Sequence, residues 1–440
     1  MDSKTQVSAT RSTADVLPGI RLNRQQKKAL KAMEGFVQSR EKLFLLTGYA
    51  GTGKTTLLQA LIKKMRKQGD RRRIVFTAFS NKATKVLQNM AESWELSIDC
   101  MTCCKLLGLR PDIDQTTGKQ VFQPDRDSEN LIESYQLVVV DEASMINAEL
   151  WQLLNLAVMD LLSKTQLLFV GDIAQLPPIG EPESPVFNEI HERVDLTEVV
   201  RYGGAIALLA ESIRNNLLQR DLPQFETDVN GDRTEGVIVC QRYAWEKLMI
   251  RAFQSDACKA DPDHVRALAY TNRRVDYLNQ QIRRAIYGAG TPRFVEGERL
   301  VANTPYLWGE SVILQTSSEC EVLEVTTAQH GPWQVWVLQV LTDEGKRRTV
   351  NTLHESSLGE FQRLLGLYAQ EKRWGEFWDL KGLFADLNYA YCLTIHKSQG
   401  STFQNVFVDV PNALINQNIR ERNQLLYVAV TRAARRLFIY

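Results

Sequence analysis

Cysteine pairing, an excess of charge and long apolar runs are all missing from this 440-residue chain. The seven cysteines are scattered and odd in number, which argues against a disulfide framework. Cys100-Met-Thr-Cys103, with Cys104 beside it, is a lone C-x-x-C without a second pair to complete a zinc site. Buried free thiols in a reducing cytoplasm are the expectation. Lys and Arg number 53 against 52 Asp and Glu, so net charge is +1 and any nucleic-acid groove must be a local patch. No apolar run approaches bilayer-spanning length, and the N-terminus lacks a signal-like apolar core. A cytoplasmic protein with no membrane partner is expected.

What is present is an ordinary globular composition, 44% apolar and 24% charged, in a chain long enough for two or more domains. The stretch Lys42 to Gly69 organises it. Leu43-Phe-Leu-Leu46 has the continuous apolar character of a strand buried on both faces. Gly48-Tyr-Ala-Gly51-Thr52-Gly53-Lys54-Thr55 then fits G-x-x-x-x-G-K-[ST] at every fixed position, and a helix pattern follows, with Leu57, Leu58, Leu61, Ile62 and Met65 on one side. Backbone N–H groups of such a loop wrap a polyphosphate, and the helix N-terminus adds its positive dipole end. Lys54 supplies charge to the β- and γ-phosphates of ATP, and Thr55 a hydroxyl ligand for Mg²⁺.

Residues 1–19, rich in Ser and Thr, read as a disordered tail. A helix beginning near Leu22 places Gln26 upstream of the P-loop, where its amide can read an adenine edge. Arg73 to Phe79 reads as a second buried strand leading into Ser80-Asn81. Residues 110 to 133 turn polar around Thr117-Gly118, a pattern that suggests a hairpin standing off the main domain with Phe122 near its tip. Gln136 to Val140 is a third strand, ending in Asp141 and Glu142. Asp141 is placed to hold Mg²⁺, and Glu142 to orient and deprotonate the attacking water. Leu167 to Gly171 is a fourth, with Gln175 beyond its carboxyl end, where ligands bind in open α/β sheets and Gln175 can sense the γ-phosphate.

From about residue 201 a second α/β pattern begins, without a second P-loop. Residues 292 to about 352 break into short β-rich runs separated by turn signals, which suggests an inserted small barrel. An amphipathic helical stretch follows, and the α/β pattern resumes with Thr394, His396 and Gly400 in one polar loop. Arg201 and Arg432 each read singly as structural or solvated. Together, offered by a lobe that lacks a P-loop, they suit a γ-phosphate across a cleft.

In order, GYAGTGKTT, VVVDEASM, GDIAQLPPIG, LTEVVRY, LTIHKSQGSTF and LLYVAVTRA resemble the motifs of superfamily 1 helicases, in the branch of Dda-like, RecD and Pif-type enzymes. The resemblance runs from residue 22 to 440. It implies an α/β fold of two RecA-like parallel-sheet lobes, with an inserted β-hairpin pin and an inserted SH3-like barrel carrying a helical extension. The implied layout is 20–200 for the first lobe (pin 103–133), 201–291 with 386–440 for the second, and 292–385 for the barrel. The implied activity is ATP-dependent 5′-to-3′ movement on single-stranded DNA and duplex unwinding, in replication, recombination or repair, by a monomer.

The resemblance implies a hydrolytic set of Lys54, Asp141, Glu142, Gln175, Arg201 and Arg432. It implies nucleotide contacts at Gln26, Gly48, Gly51, Thr52, Gly53, Lys54, Thr55, Thr56 and Gly400, with Mg²⁺ at Thr55 and Asp141. Phe79, Ser80, Asn81, Thr102, Thr394 and His396 fall where the family contacts the DNA strand, and Phe122 where the pin carries an aromatic wedge. The chain departs from the family at Phe79-Ser80-Asn81, often Pro-Thr-His, and at Thr102-Cys103-Cys104, often Thr-Ile-His. Two rival functions are an RNA helicase or remodeller, and a DNA clamp switched by ATP without translocation. Replication or repair proteins are the protein partners the resemblance suggests.

Overall fold

A computed structural model describes residues 22–113, 120–125, 128–160, 162–199, 204–309 and 311–440. The expected N-terminal tail, the Thr117-Gly118 turn and Arg201 lie outside them.

The first sheet has six parallel strands, ordered Asp99–Thr102, Ile74–Ala78, Leu137–Val140, Gln166–Gly171, Leu43–Gly48 and Arg193–Leu196. Its central strands are apolar runs because helices cover both faces. Alternation divides each run: Phe44, Phe76 and Val139 face one core, while Leu45, Val75 and Val138 face the other. The helices Arg24–Gln38, Lys54–Lys67 and Asn81–Ser93 close the first face, and Ala148–Met159 packs on the second. Each fully buried Leu, Val or Phe here contributes roughly 1.5–3 kcal/mol.

A second six-stranded sheet is ordered Cys392–Thr394, Val265–Ala269, Phe403–Val408, Ala433–Ile439, Gly236–Val239 and Asp228–Val229. It is parallel except for the last strand. Between Val265–Ala269 and Cys392–Thr394 the chain makes a five-stranded antiparallel sheet, ordered Arg347–Leu353, Trp333–Thr342, Glu319–His330, Arg299–Ala302 and Leu387–Tyr389. The helices Glu355–Gln370 and Trp374–Gly382 extend from it. The expectation assigned 386 onward to the second lobe. Instead Leu387–Tyr389 pairs with Arg299–Ala302, and Leu387 joins the inserted core.

The hairpin Leu109–Ile113 with Gln120–Pro124 is present, but Phe122 is not an exposed tip residue. Strand alternation turns it inward while Gln123 faces out, leaving Phe122 only 7% exposed in the core that holds Leu106, Ile146 and Trp151. Its N–H donates to Glu149 at 3.2 Å. Phe122 fastens the hairpin to the lobe, so the wedge expectation falls. Phe122→Ala should lower unfolding stability by about 3–5 kcal/mol, measured by denaturant titration, as for a buried aromatic. A stability change within experimental error would mean that the residue is not packed.

Candidate functional site: a nucleotide seam between two lobes

The P-loop leaves the carboxyl end of Leu43–Gly48, a strand flanked on both sides within its sheet. Gly53, at φ 86°, caps the helix Lys54–Lys67. The backbone angle favours glycine, and a Cβ there would stand 2.5 Å from Gln26 Nε2 and displace that amide. Gln26 is buried, donates to the Thr52 carbonyl at 3.0 Å and accepts the Asn23 N–H at 3.0 Å. One amide thus completes a helix capping box and braces the P-loop. Thr52 closes the loop by donating its hydroxyl to the Tyr49 carbonyl at 2.9 Å. Lys54 Nζ donates to the carbonyls of Gly48 and Tyr49, at 2.5 and 3.1 Å. Gly48 and Gly51 belong to the same loop, and Thr55 and Thr56 to the partly exposed first turn of the helix.

Asp141 and Glu142 follow the strand Leu137–Val140, and Gln175 follows Gln166–Gly171. Asp141 accepts the Glu142 N–H at 2.9 Å, and burial raises its carboxyl above the usual range, opposed by that N–H and by Lys54. Burial and then the neighbouring Asp141 push Glu142 up to about 7, against the pull of Arg432 and Lys54. Both residues keep some exposed surface, yet their carboxylates are enclosed by protein, and it is the carboxylate's surroundings that set its titration. Glu142 sits at φ 54°, a left-handed angle that lifts it off the strand end. Among the described residues no group of three or more His, Cys, Asp or Glu could hold a metal alone. A single carboxylate and a hydroxyl, Asp141 and Thr55, fit Mg²⁺ held mainly by phosphate and water oxygens.

The second lobe closes on this set. Tyr427, on the helix Ile419–Thr431, donates its hydroxyl to Asp172 at 2.7 Å. The Ala50 N–H of the P-loop lies 3.1 Å from the same Asp172 oxygen and 3.0 Å from the Tyr427 oxygen. Gln399 donates to Ser144 at 3.0 Å and to Gln175 Oε1 at 3.1 Å, and Gln424 donates to the Gln175 carbonyl at 2.8 Å. Arg214 stacks 3.7 Å above the Tyr49 ring. Arg432 is buried, donates to the carbonyls of Val428 and Ser401, and is close enough for its charge to act on Glu142. Gly400, at φ 76°, packs against Ala83, and a Cβ there would come within 3.9 Å of Glu142 Oε1. Asp172, Gln399 and Tyr427 lie within motifs visible in the sequence, but no local pattern gives them a role. Arg214 has no signal in the sequence at all; only its partner ring in the P-loop marks it.

An AAA domain family matches residues 21–227, and a UvrD-like helicase C-terminal domain family matches 389–440. The T4 phage protein named ATP-dependent DNA helicase dda is 24% identical, over 93% of this chain and 97% of its own length. Over nearly its whole length the chain is thus similar to a Dda helicase. A mimivirus protein, R530, is 27% identical over 94% of this chain and 98% of itself. A Pif1 helicase structure described for unwinding at forked duplex DNA shares the fold, with TM-score 0.52 and 15% identity over 95% of this chain and 92% of that one.

The residues expected at the DNA strand gather at the carboxyl ends of strands. Ala78 pairs with Thr102, so Phe79-Ser80-Asn81 and Thr102 leave adjacent strands. Ser80 and Thr102 are N-caps, accepting the N–H groups of Ala83 and Lys105. Thr394 ends the edge strand of the second sheet and accepts the Lys397 N–H. His396 follows it, and burial lowers its pKa, favouring the neutral ring. The Gly400–Ala83 contact brings this loop beside the Ser80–Asn81 helix start. Among the described residues no helix is long and apolar enough to cross a membrane.

The raised Glu142 carboxyl gives a signed prediction. As a base it is available only once ionised, so kcat/KM for ATP hydrolysis should rise as pH passes through about 7. Glu142→Gln should remove that limb and lower kcat by about 10²–10⁴. Because the folded pKa exceeds the unfolded one, the proton stabilises the fold at low pH, and this stabilisation is lost as pH rises through about 7. The unfolding midpoint of the wild type should therefore fall relative to Glu142→Gln over that range. Parallel midpoints would show that Glu142 does not titrate there.

Proposed function

We propose that this chain is an ATP-dependent DNA helicase that moves 5′-to-3′ along single-stranded DNA and separates duplexes at a fork. The observation that carries the reading is the meeting, at one seam, of Lys54, Asp141, Glu142 and Gln175 with Arg432 from the other lobe. A hydrolytic base at the lobe interface, with a cation opposite, is what coupling of turnover to lobe movement requires. The rival switched clamp has no need of a positioned base.

ATP would lie on the P-loop, its adenine edge beside Gln26, its phosphates on the loop N–H groups and Lys54. Asp141 and Thr55 would hold Mg²⁺, which when bound neutralises charge on the phosphate oxygens. Glu142 takes the proton of the attacking water, Gln175 reports the γ-phosphate to Gln399, and Arg432 faces the developing charge, with Arg201 as a second arginine. Phosphate loss removes the bridge between lobes and favours parting. Strand contacts would run over Phe79, Ser80, Asn81, Thr102, Thr394 and His396. The inserted sheet, read as an SH3-like barrel, and the pin hairpin border a groove of about 550 Å³ that Asn81, Lys105, Arg110, Lys346 and Arg348 help to line. Asp125, Asp343 and Glu344 also line it, so its charge is mixed. Gripping through phosphates makes binding tolerant of sequence and sensitive to salt. The protein would act in the cytoplasm as a monomer, on single strands and single-strand/duplex junctions.

Streptavidin displacement from biotinylated oligonucleotides tests this directly. With ATP the helicase should clear streptavidin from the 3′ end and not the 5′ end, and Lys54→Ala should clear neither. Clearing from the 5′ end would reverse the polarity. ATP hydrolysis with no clearing from either end would refute translocation.

A further inference from the structure

The inserted sheet meets both lobes at one buried carboxylate, Glu319, which is 5% exposed. Its Oε1 accepts from Lys82 Nζ at 2.8 Å, while Oε2 lies 3.2 Å from Arg266 and 3.7 Å from Arg299. Lys82 stands in the first turn of Asn81–Ser93 in the first lobe, Arg266 in a central strand of the second, and Arg299 in the inserted sheet itself. Each of the three units therefore contributes one cation. Asp263 flanks the cluster, 3.1 Å from Arg266 and 4.0 Å from Lys82. Burial alone would raise the Glu319 carboxyl, but Arg266, Lys82 and Arg299 override it and hold it at about 2.

These links differ in what they cross. The inserted sheet is fastened to the second lobe by further contacts: Arg283 to Glu298 at 2.7 Å, Tyr391 to Glu298 at 2.9 Å, and Asn279 to the Tyr389 carbonyl at 2.8 Å. The sheet therefore travels with the second lobe. Lys82–Glu319 spans the same division as Tyr427–Asp172 and Gln399–Gln175, and must break if the lobes part. Lys82 also adjoins Ala83, which packs on Gly400 beside Glu142. A buried carboxylate robbed of a cation is costly, so the cluster favours the arrangement in which Lys82 reaches it.

We propose that Lys82 and Glu319 are a positioning pair that latches the inserted sheet to the first lobe on closure, so that closing around nucleotide also sets the sheet beside the Ser80–Asn81 helix start. This rests on the helicase reading for its purpose, though not for its test. The test is energy transfer in the full chain between labels at Leu156 in the first lobe and Thr327 in the inserted sheet, with and without a non-hydrolysable ATP analogue. Lys82 is the safer site to change, being partly exposed, whereas Glu319→Gln leaves Arg266 buried and underpaired. Lys82→Met should enlarge the population with the sheet swung away by about tenfold, as expected for loss of a charged hydrogen bond. Lys82→Arg should restore the native distribution, and base pairs opened per ATP should fall in Lys82→Met with DNA-stimulated kcat held. An unchanged distribution in Lys82→Met, or no restoration by Lys82→Arg, overturns the latch. Wild-type protein that hydrolyses ATP without unwinding would instead refute the helicase function, while the distance comparison still decides the latch.

Discussion

A carboxylate that answers to both halves of the molecule sits under the P-loop. Asp172 directly follows a strand of the first sheet, yet it accepts from the Tyr427 hydroxyl of the second lobe and from the Ala50 N–H of the phosphate loop. One carboxylate oxygen accepts both bonds, and burial removes the competing water. Burial and Asp172 together push the Tyr427 hydroxyl well above its usual range, so it remains a donor. The position of the second lobe is thereby felt at the loop that grips phosphate. The bonds of Gln399 and Gln424 to Gln175 repeat the connection three residues further along the same loop.

The charges of the seam follow from the same enclosure. Burial drives both Asp141 and Glu142 upward; Lys54 opposes it at both, and Arg432 opposes it at Glu142 from the other lobe. Parting the lobes would take Arg432 away and expose Glu142 to water, two changes of opposite sign on one base. The Glu319 cluster applies the same physics at the inserted sheet, where cations win outright. A carboxylate with several positioned cations holds a unique arrangement better than an apolar contact would, at the cost of desolvation.

How far this was legible in the sequence depends on the range of each interaction. The P-loop, the apolar strands and their polar carboxyl ends are local patterns, and both sheets formed where those patterns lie. Lys54, Asp141, Glu142 and Gln175 could be placed because strand ends in parallel sheets converge. Arg432 carried no local mark distinguishing it from a solvated helix arginine; its burial comes from contacts with Ser401 and Val428. The facing of Phe122 depends on how the hairpin docks, which alternation alone does not fix. Tyr427 and Asp172 are 255 residues apart, and Lys82 and Glu319 are 237 apart, so neither pairing has a sequence signature. Leu387–Tyr389 is three residues long, too short to declare which sheet it joins.

The central claim is that hydrolysis happens where the lobes meet, with Arg432 opposite Glu142. Single-turnover ATP cleavage by Arg432→Met on saturating single-stranded DNA measures this most directly. ATP affinity should stay within a few-fold while the cleavage rate falls by about 10³ or more, the usual effect of removing a transition-state arginine. A cleavage rate equal to that of the wild type would contradict the account.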